Sequence, residues 1–210
     1  MYEISCVAGK FKGQPAQTSC DDCVAGKFKD QPAQMSDTCV TCPSHTDISS
    51  TGSGAVSDCL ADAGYAGDGT NVAACVAGKF KATAGSAVAC TNCGAGQYKA
   101  STAQTSDTCS SCPTNTESPA ASDAINDCLA DAGYTGSGSS VAVCGAGAYK
   151  GASASSAGCD TCPVNSGTGT ATTSTAIGGC LADAGYTGSG GSVAVCGAGA
   201  YKAASASAAG

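Results

Sequence analysis

The chain has no tryptophan, no arginine and a single histidine, His45. All nine basic residues are lysines, set against sixteen acids, so the net charge is −7 and the pI about 4.3. This argues against a nucleic-acid partner, which needs a basic face. Nowhere do eighteen apolar residues run together, so no membrane span is expected in this segment. Large aliphatic residues are scarce: leucine, isoleucine, valine and phenylalanine together make up 22 of the 210 residues. An ordinary domain cannot build its usual core from that. The start, Met1 to Lys10, lacks the charged-then-apolar pattern of a signal peptide. Catalytic parts are missing too. The one histidine lies in a polar loop with no nucleophile to serve, and there is no G-x-x-x-x-G-K-[ST] phosphate loop. The expectation is a chain that is not an enzyme and carries no cofactor.

What the chain has is cysteine, seventeen of them, and thirty glycines. That cysteine density belongs to disulfide scaffolds of oxidising compartments, and it points to an extracellular location. With so little apolar content, cross-links must supply the order.

One stretch organises the rest. It runs from Cys59 to Lys81, from Cys128 to Lys150 and from Cys180 to Lys202. The second copy reads CLADAGYTGSGSSVAVCGAGAYK, and the third differs only in having Gly191 in place of Ser139. Repetition this close marks a repeat protein. Around it lie loops such as CVAGKFKGQPAQTSC (Cys6 to Cys20) and CVAGKFKDQPAQMSDTC (Cys23 to Cys39). The expected organisation is a repeat over 1–74, a second over 75–143, a third over 144–195 that is one loop shorter, and the start of a fourth over 196–210.

The loop motif is C-[VG]-A-G-x-[FY]-K, beginning at Cys6, Cys23, Cys75, Cys93, Cys144 and Cys196. Its aromatics, with Tyr65, Tyr134 and Tyr186 of the organising stretch, occupy nearly every aromatic position in the chain. Each ring is expected to stack on one or two disulfides as a miniature core. No window has a helical apolar period, and glycine and proline break every run. The expected fold is therefore a set of small disulfide-rich repeats, an elongated rod of short β-hairpins and coil with little helix. The hairpins are placed at the G-x-[FY]-K pieces, and the acid pair Asp21/Asp22 in a solvated hairpin turn.

Five C-x2-C pairs occur: Cys20/Cys23, Cys39/Cys42, Cys90/Cys93, Cys109/Cys112 and Cys159/Cys162. The first four form two C-x2-C-x15-C-x2-C blocks, which match a zinc pattern. Against zinc stand the fifth pair, which has no partner pair, the many cysteines outside the blocks, and the one histidine, His45, which lies in a polar loop and fits no ligand spacing. Disulfides between successive cysteines use sixteen of the seventeen: 6–20, 23–39, 42–59, 75–90, 93–109, 112–128, 144–159 and 162–180. This pairing names Cys6, Cys20, Cys23, Cys39, Cys42, Cys59, Cys75, Cys90, Cys93, Cys109, Cys112, Cys128, Cys144, Cys159, Cys162 and Cys180. Interleaved pairings such as 20–39 with 23–42 stay open, because connectivity does not follow from sequence. Cys196 is left over. Its partner would fall at about position 211 by the spacing of the other loops, so it is expected to be unpaired by truncation of a longer chain.

No N-x-[ST] sequon exists. The Thr/Gly tract Ser166 to Thr175 is either a flexible loop or a carrier of O-linked glycans, with candidate acceptors Thr168, Thr170, Thr172, Thr173 and Thr175. All nine lysines fall in the loop motif, while Asp62, Asp131, Asp183, Asp58 and Asp127 gather in or just before the organising stretch. Segregated signs at a fixed period suggest lateral contacts between lysines of one rod and aspartates of the next.

These motifs resemble known families. CVAGKFKGQPAQTSC is similar to the first loop of tumour-necrosis-factor-receptor-type repeats and to ephrin-receptor-like GCC repeats, in which a C-x-x-G-x-[YF] hairpin is closed by its own disulfide. The organising stretch resembles the end of an epidermal-growth-factor-like module. Here, however, Ala61, Ala130 and Ala182 stand at one cysteine position of that pattern, and Val72, Val141 and Val193 at its partner. A small apolar contact is expected in place of the missing bond. Long arrays of the two motifs resemble surface and flagellar-hair (mastigoneme) proteins of algae and other protists. The resemblance implies a structural extracellular repeat protein that builds a filament, flagellar hair or surface sheath, at the cell or flagellar surface. Its partners would be copies of itself or related filament proteins. The alternative is a cell-surface receptor or adhesion ectodomain that binds a protein ligand.

Overall fold

The structure, a computed structural model, describes residues 5–32 and 36–202. Among these there is no α-helix. Three single 3-10 turns, Val56–Asp58, Ile125–Asp127 and Ile177–Gly179, are the only helical pieces, and nearly all the strands are two residues long. The chain forms small disulfide-rich repeats of antiparallel hairpins and coil. It divides into two compact units, Met1–Cys93 with Ala100–Thr108, and Gly94–Lys99 with Cys109–Gly210.

The local rule is set three residues after each leading cysteine. There the backbone enters the left-handed region, as at Gly9, where φ is 81°. Glycine meets that demand without strain. At Gly9 a side chain is also shut out by packing, since a Cβ would lie 2.0 Å from Gly52 O. After the Cys-Pro pairs the same place is held by His45, Asn115 and Asn165, with φ of 64°, 62° and 62°; asparagine is the side chain that tolerates this region best. The turn reverses the chain into a two-residue strand ending in the aromatic. The return strand is the pair of residues inside the following C-x2-C. Lys10–Phe11 pairs with Asp21–Asp22, Lys27–Phe28 with Val40–Thr41, and Lys79–Phe80 with Thr91–Asn92. Gln97–Tyr98 pairs with Ser110–Ser111, and Ala148–Tyr149 with Asp160–Thr161. Asp21 and Asp22 thus lie on an exposed return strand rather than in a turn.

Seven disulfides join successive cysteines: 6–20, 23–39, 42–59, 75–90, 112–128, 144–159 and 162–180. Cys93 and Cys109 are disulfide-bonded as well. The interleaved 20–39 arrangement does not form, and every sulfur of the five C-x2-C pairs is spent on a disulfide rather than available to zinc. Each of the seven bonds closes a loop worth roughly 3 kcal/mol in the chain-entropy account. Cys6, Cys23, Cys75, Cys93 and Cys144, which lead these five hairpins, are buried, as are Cys59, Cys128 and Cys180.

Neighbouring modules are stitched by one recurring set of backbone bonds. The Cys23 amide donates to Gly9 O at 2.9 Å, Cys42 to Gly26 O at 3.0 Å, Cys75 to Gly64 O at 2.8 Å, and Cys144 to Gly133 O at 2.9 Å. The Gly9 amide donates onward to Lys29 O, Gly64 to Lys81 O and Gly133 to Lys150 O, at 2.8–2.9 Å. The same rungs recur at Cys112, Cys162 and Cys196.

The organising stretch makes the largest sheets. Thr116–Glu117, Leu129–Ala130, Tyr134–Ser137 and Ser140–Val143 line up in that order in one four-stranded sheet. Ser166–Gly167, Leu181–Ala182, Tyr186–Ser189 and Ser192–Val195 do so in another. In the first copy Tyr65–Ala66 and Ala73–Ala74 make only a two-residue ladder.

Among the described residues, a buried ring-on-disulfide core forms where Phe28 packs with Ile48 and Cys59, flanked by Cys42 and Val56. The other described aromatics are half-buried, except Tyr201, which is exposed. What fills the interior elsewhere is cysteine, small residues and, against expectation, lysine.

Candidate functional site

Lysine follows the aromatic in every loop motif, at Lys12, Lys29, Lys81, Lys99, Lys150 and Lys202. The first five are 2–6% exposed, and Lys202 is half-buried. An ammonium taken out of water costs several kcal/mol unless it is hydrogen-bonded. Lys81 Nζ donates to Ala61 O at 3.0 Å and Ser86 O at 2.7 Å. Lys150 Nζ donates to Ala130 O at 2.9 Å and Ser155 O at 2.8 Å. Lys202 Nζ donates to Ala182 O at 2.5 Å.

The acceptors are the three alanines that stand where the growth-factor-like pattern has a cysteine. They are completely buried, and Val72, Val141 and Val193 are half-buried. What reaches across to these alanines is a cation from the next loop, so a charge-assisted clamp ties modules together where a disulfide is missing. Charged donors make the stronger class of hydrogen bond. Burial pushes the Lys81 ammonium below its usual range, with Asp62 pulling the other way. Lys29 is lowered by the same cause, opposed by Asp37. Its Nζ lies 6.0 Å from the centre of the Phe11 ring and has no hydrogen-bond partner among the described residues.

These positions take part of the lysine set out of the expected lateral pairing with aspartates of a neighbouring rod. Five of the nine lysines are inside the protein. Lys10, at the surface, pairs with Asp22 of its own hairpin at 2.6 Å. Asp58 accepts the amides of Gly54 and Ala55, and Asp127 those of Asp123 and Ala124, all at 3.0 Å, so both acids close 3-10 turns.

The glycan tract also divides. Thr168 is buried; its hydroxyl accepts from the Gly147 amide at 2.8 Å and donates to Ala171 O at 2.7 Å. It is removed from the acceptor set, because a transferase cannot reach it in the folded protein. Thr170, Thr172, Thr173 and Thr175 are exposed. Cys196 is free and half-buried. His45 is exposed, with its ring stacked on Tyr65 at 4.0 Å and 8° between planes. Among the described residues no three His, Cys, Asp or Glu side chains converge as a metal site. An open groove of about 450 Å³ lies along Pro119–Asp123, Asn126, Asp127 and Leu129, but its Asp127 is already committed to the turn.

Comparison with protein-family models and with curated proteins finds no match. The buried lysines are the feature that a reading of the sequence misses. The signal was available within the chain: the residue two before each of them varies as Lys, Gln or Ala, while the lysine never changes. Position by position, that contrast separates a mostly half-buried, variable site from the lysine position.

Proposed function

We propose that this chain is a structural segment of an extracellular repeat protein that builds a filament, a flagellar hair or a surface sheath. The observation that carries the reading is the recurring stitch between modules. Within each of the two compact units the same amide-to-carbonyl rungs recur from hairpin to hairpin, and in the three organising stretches the same lysine clamp is added. An array whose modules contact their neighbours by one repeated rule extends by adding modules, which is how quasi-linear proteins are made. The dense disulfides suit an oxidising, extracellular setting, and no helix of the described residues is long and apolar enough to cross a membrane. The flagellar-hair assignment rests on the resemblance of the motifs. O-linked sugars on Thr170, Thr172, Thr173 and Thr175 would complete such a surface. Near-identical repeats disfavour a receptor, which needs one module to differ at its ligand site.

Electron microscopy of the native material tests this. Fibres with a regular axial period are expected. Dispersed particles that bind a separate protein would refute the structural role in favour of an adhesion or receptor ectodomain.

A further inference from the structure

Resting on the filament reading, we propose that the open edges of the Ser140–Val143 and Ser192–Val195 strands pair with the same edges of a second copy of this chain. Each strand is the last in its four-stranded sheet. Register fixes which backbone groups face out. Ser137 pairs with Ser140 across a two-residue loop, and Gly136, Thr135 and Tyr134 pair with Val141, Ala142 and Val143. The Cys144 amide continues the ladder to Gly133 O. Antiparallel pairs alternate between bonded and non-bonded, so Ser140 and Ala142 bond inward, while Val141 and Val143 turn their N–H and C=O outward. The third copy repeats this register, with Val193 and Val195 facing out. Among the described residues these outward donors and acceptors make no backbone hydrogen bond outside the ladder.

Natural edges are normally blunted by charge, proline, a bulge or short length. These edges are short, at four residues, but carry no charge, proline or bulge. From Tyr134 to Val143, and from Tyr186 to Val195, there is no charged residue and no proline. The first copy supplies the contrast inside the same molecule. There Asp68 occupies the position of Ser137, its carboxylate accepts from the Thr70 amide and hydroxyl, and the ladder shrinks to two residues. Hydrogen bonds from Thr70 hold the Asp68 carboxyl below its usual range, so the loop beside that shortened edge carries a charge. One edge is defended and two are open.

The occupant is a second copy because what the edge asks for is an uncharged extended strand, and this chain carries that strand twice. On a chain of net charge −7, an uncharged edge is where two copies meet with least repulsion. Antiparallel pairing of a strand with itself is also self-complementary, as a two-fold contact requires. Val143 and Val195, 46% and 71% exposed, would then meet valines across the junction.

The test uses the full chain with disulfides intact and Cys196 alkylated, followed by analytical ultracentrifugation over a concentration series. Wild type is expected to self-associate. The double variant Val143→Lys/Val195→Lys should weaken association by roughly tenfold or more while keeping its thermal midpoint. Val141→Pro/Val193→Pro, which deletes only outward donors, should do the same. Val76→Lys, at an exposed valine away from these edges, should associate as wild type does. A wild-type chain that stays monomeric, or edge variants that associate unchanged, would overturn the proposal. Single, unpaired fibres in native material would also sink it and leave the filament reading standing. Dispersed native particles with intact edge-dependent dimers would do the reverse.

Discussion

Replacing Lys150 with methionine keeps the length of the side chain and removes its donors. One buried bond goes, to Ala130 O at 2.9 Å, and one part-buried, to Ser155 O at 2.8 Å. Hydrogen bonds to a charged group contribute about 1.5–3 kcal/mol each, and a carbonyl left buried without a partner costs about 1–3 kcal/mol. Against this, methionine does not carry the desolvation cost of a buried ammonium. The balance is a local destabilisation of about 2–4 kcal/mol. Disulfides on either side keep the chain from unfolding as a whole, so the loss should be read locally by native-state hydrogen exchange. The amides of Ala130 and Tyr134–Ser137 should exchange roughly 30- to 1000-fold faster, while those of the Ser110–Ser111 hairpin should not change. The control is Lys79→Met, at a half-buried position two residues before a clamp, where the change should stay within about 0.5 kcal/mol. If Lys150→Met exchanges no faster than this control, the lysine is packing material and not a clamp.

The cysteines should titrate as almost fully oxidised under denaturing, non-reducing conditions; most of the seventeen reading as free would refute the scaffold. Reduction should abolish the fold, seen as loss of strand signal in circular dichroism, because each bond contributes roughly 3 kcal/mol and no large core stands behind them. For Lys81, whose folded value lies below the unfolded 10.5, the unfolded chain binds more protons within that window. Stability should therefore rise as pH climbs from the depressed value towards 10.5. The rise is measured as the thermal midpoint with Cys196 alkylated, and it should be smaller in Lys81→Met. Intact-mass and site mapping of native material should place any sugar on Thr170, Thr172, Thr173 or Thr175 and none on Thr168. Small-angle scattering should give a radius of gyration well above the roughly 17 Å of a compact chain of this length.

The hairpin-and-disulfide character was legible because it repeats: a C-x-x-G turn seen six times identifies itself, and cysteines about fifteen residues apart pair with their neighbours. The return strands were not legible. Asp21–Asp22 or Ser110–Ser111 are too short to carry a period, and they are strands only because two disulfides pin their ends. Hydropathy puts lysine outside, so Lys81 and Lys150 looked like surface charge until their carbonyl partners were placed. Composition treated every threonine of the Ser166–Thr175 tract alike; only the Gly147 amide, brought in from a neighbouring loop, sets Thr168 apart. The open strand edges were hidden for a related reason, since an edge is defined by what fails to lie beside it.

The uneven spacing of the bonds gives the chain a mechanical character. Pulled end to end, each disulfide-closed loop transmits force straight across its base, where the Cα atoms are 5.6–5.8 Å apart, and the residues inside the loop carry no tension. The stretches from Cys59 to Cys75, Cys128 to Cys144 and Cys180 to Cys196 have no such shortcut. They are held shut by backbone rungs and by one lysine each, and each would release about 50 Å of slack if its clamp let go. A fibre of these modules would be stiff at small loads and give in fixed increments at larger ones. It would recoil afterwards, because the covalent frame around each yielding segment never opens.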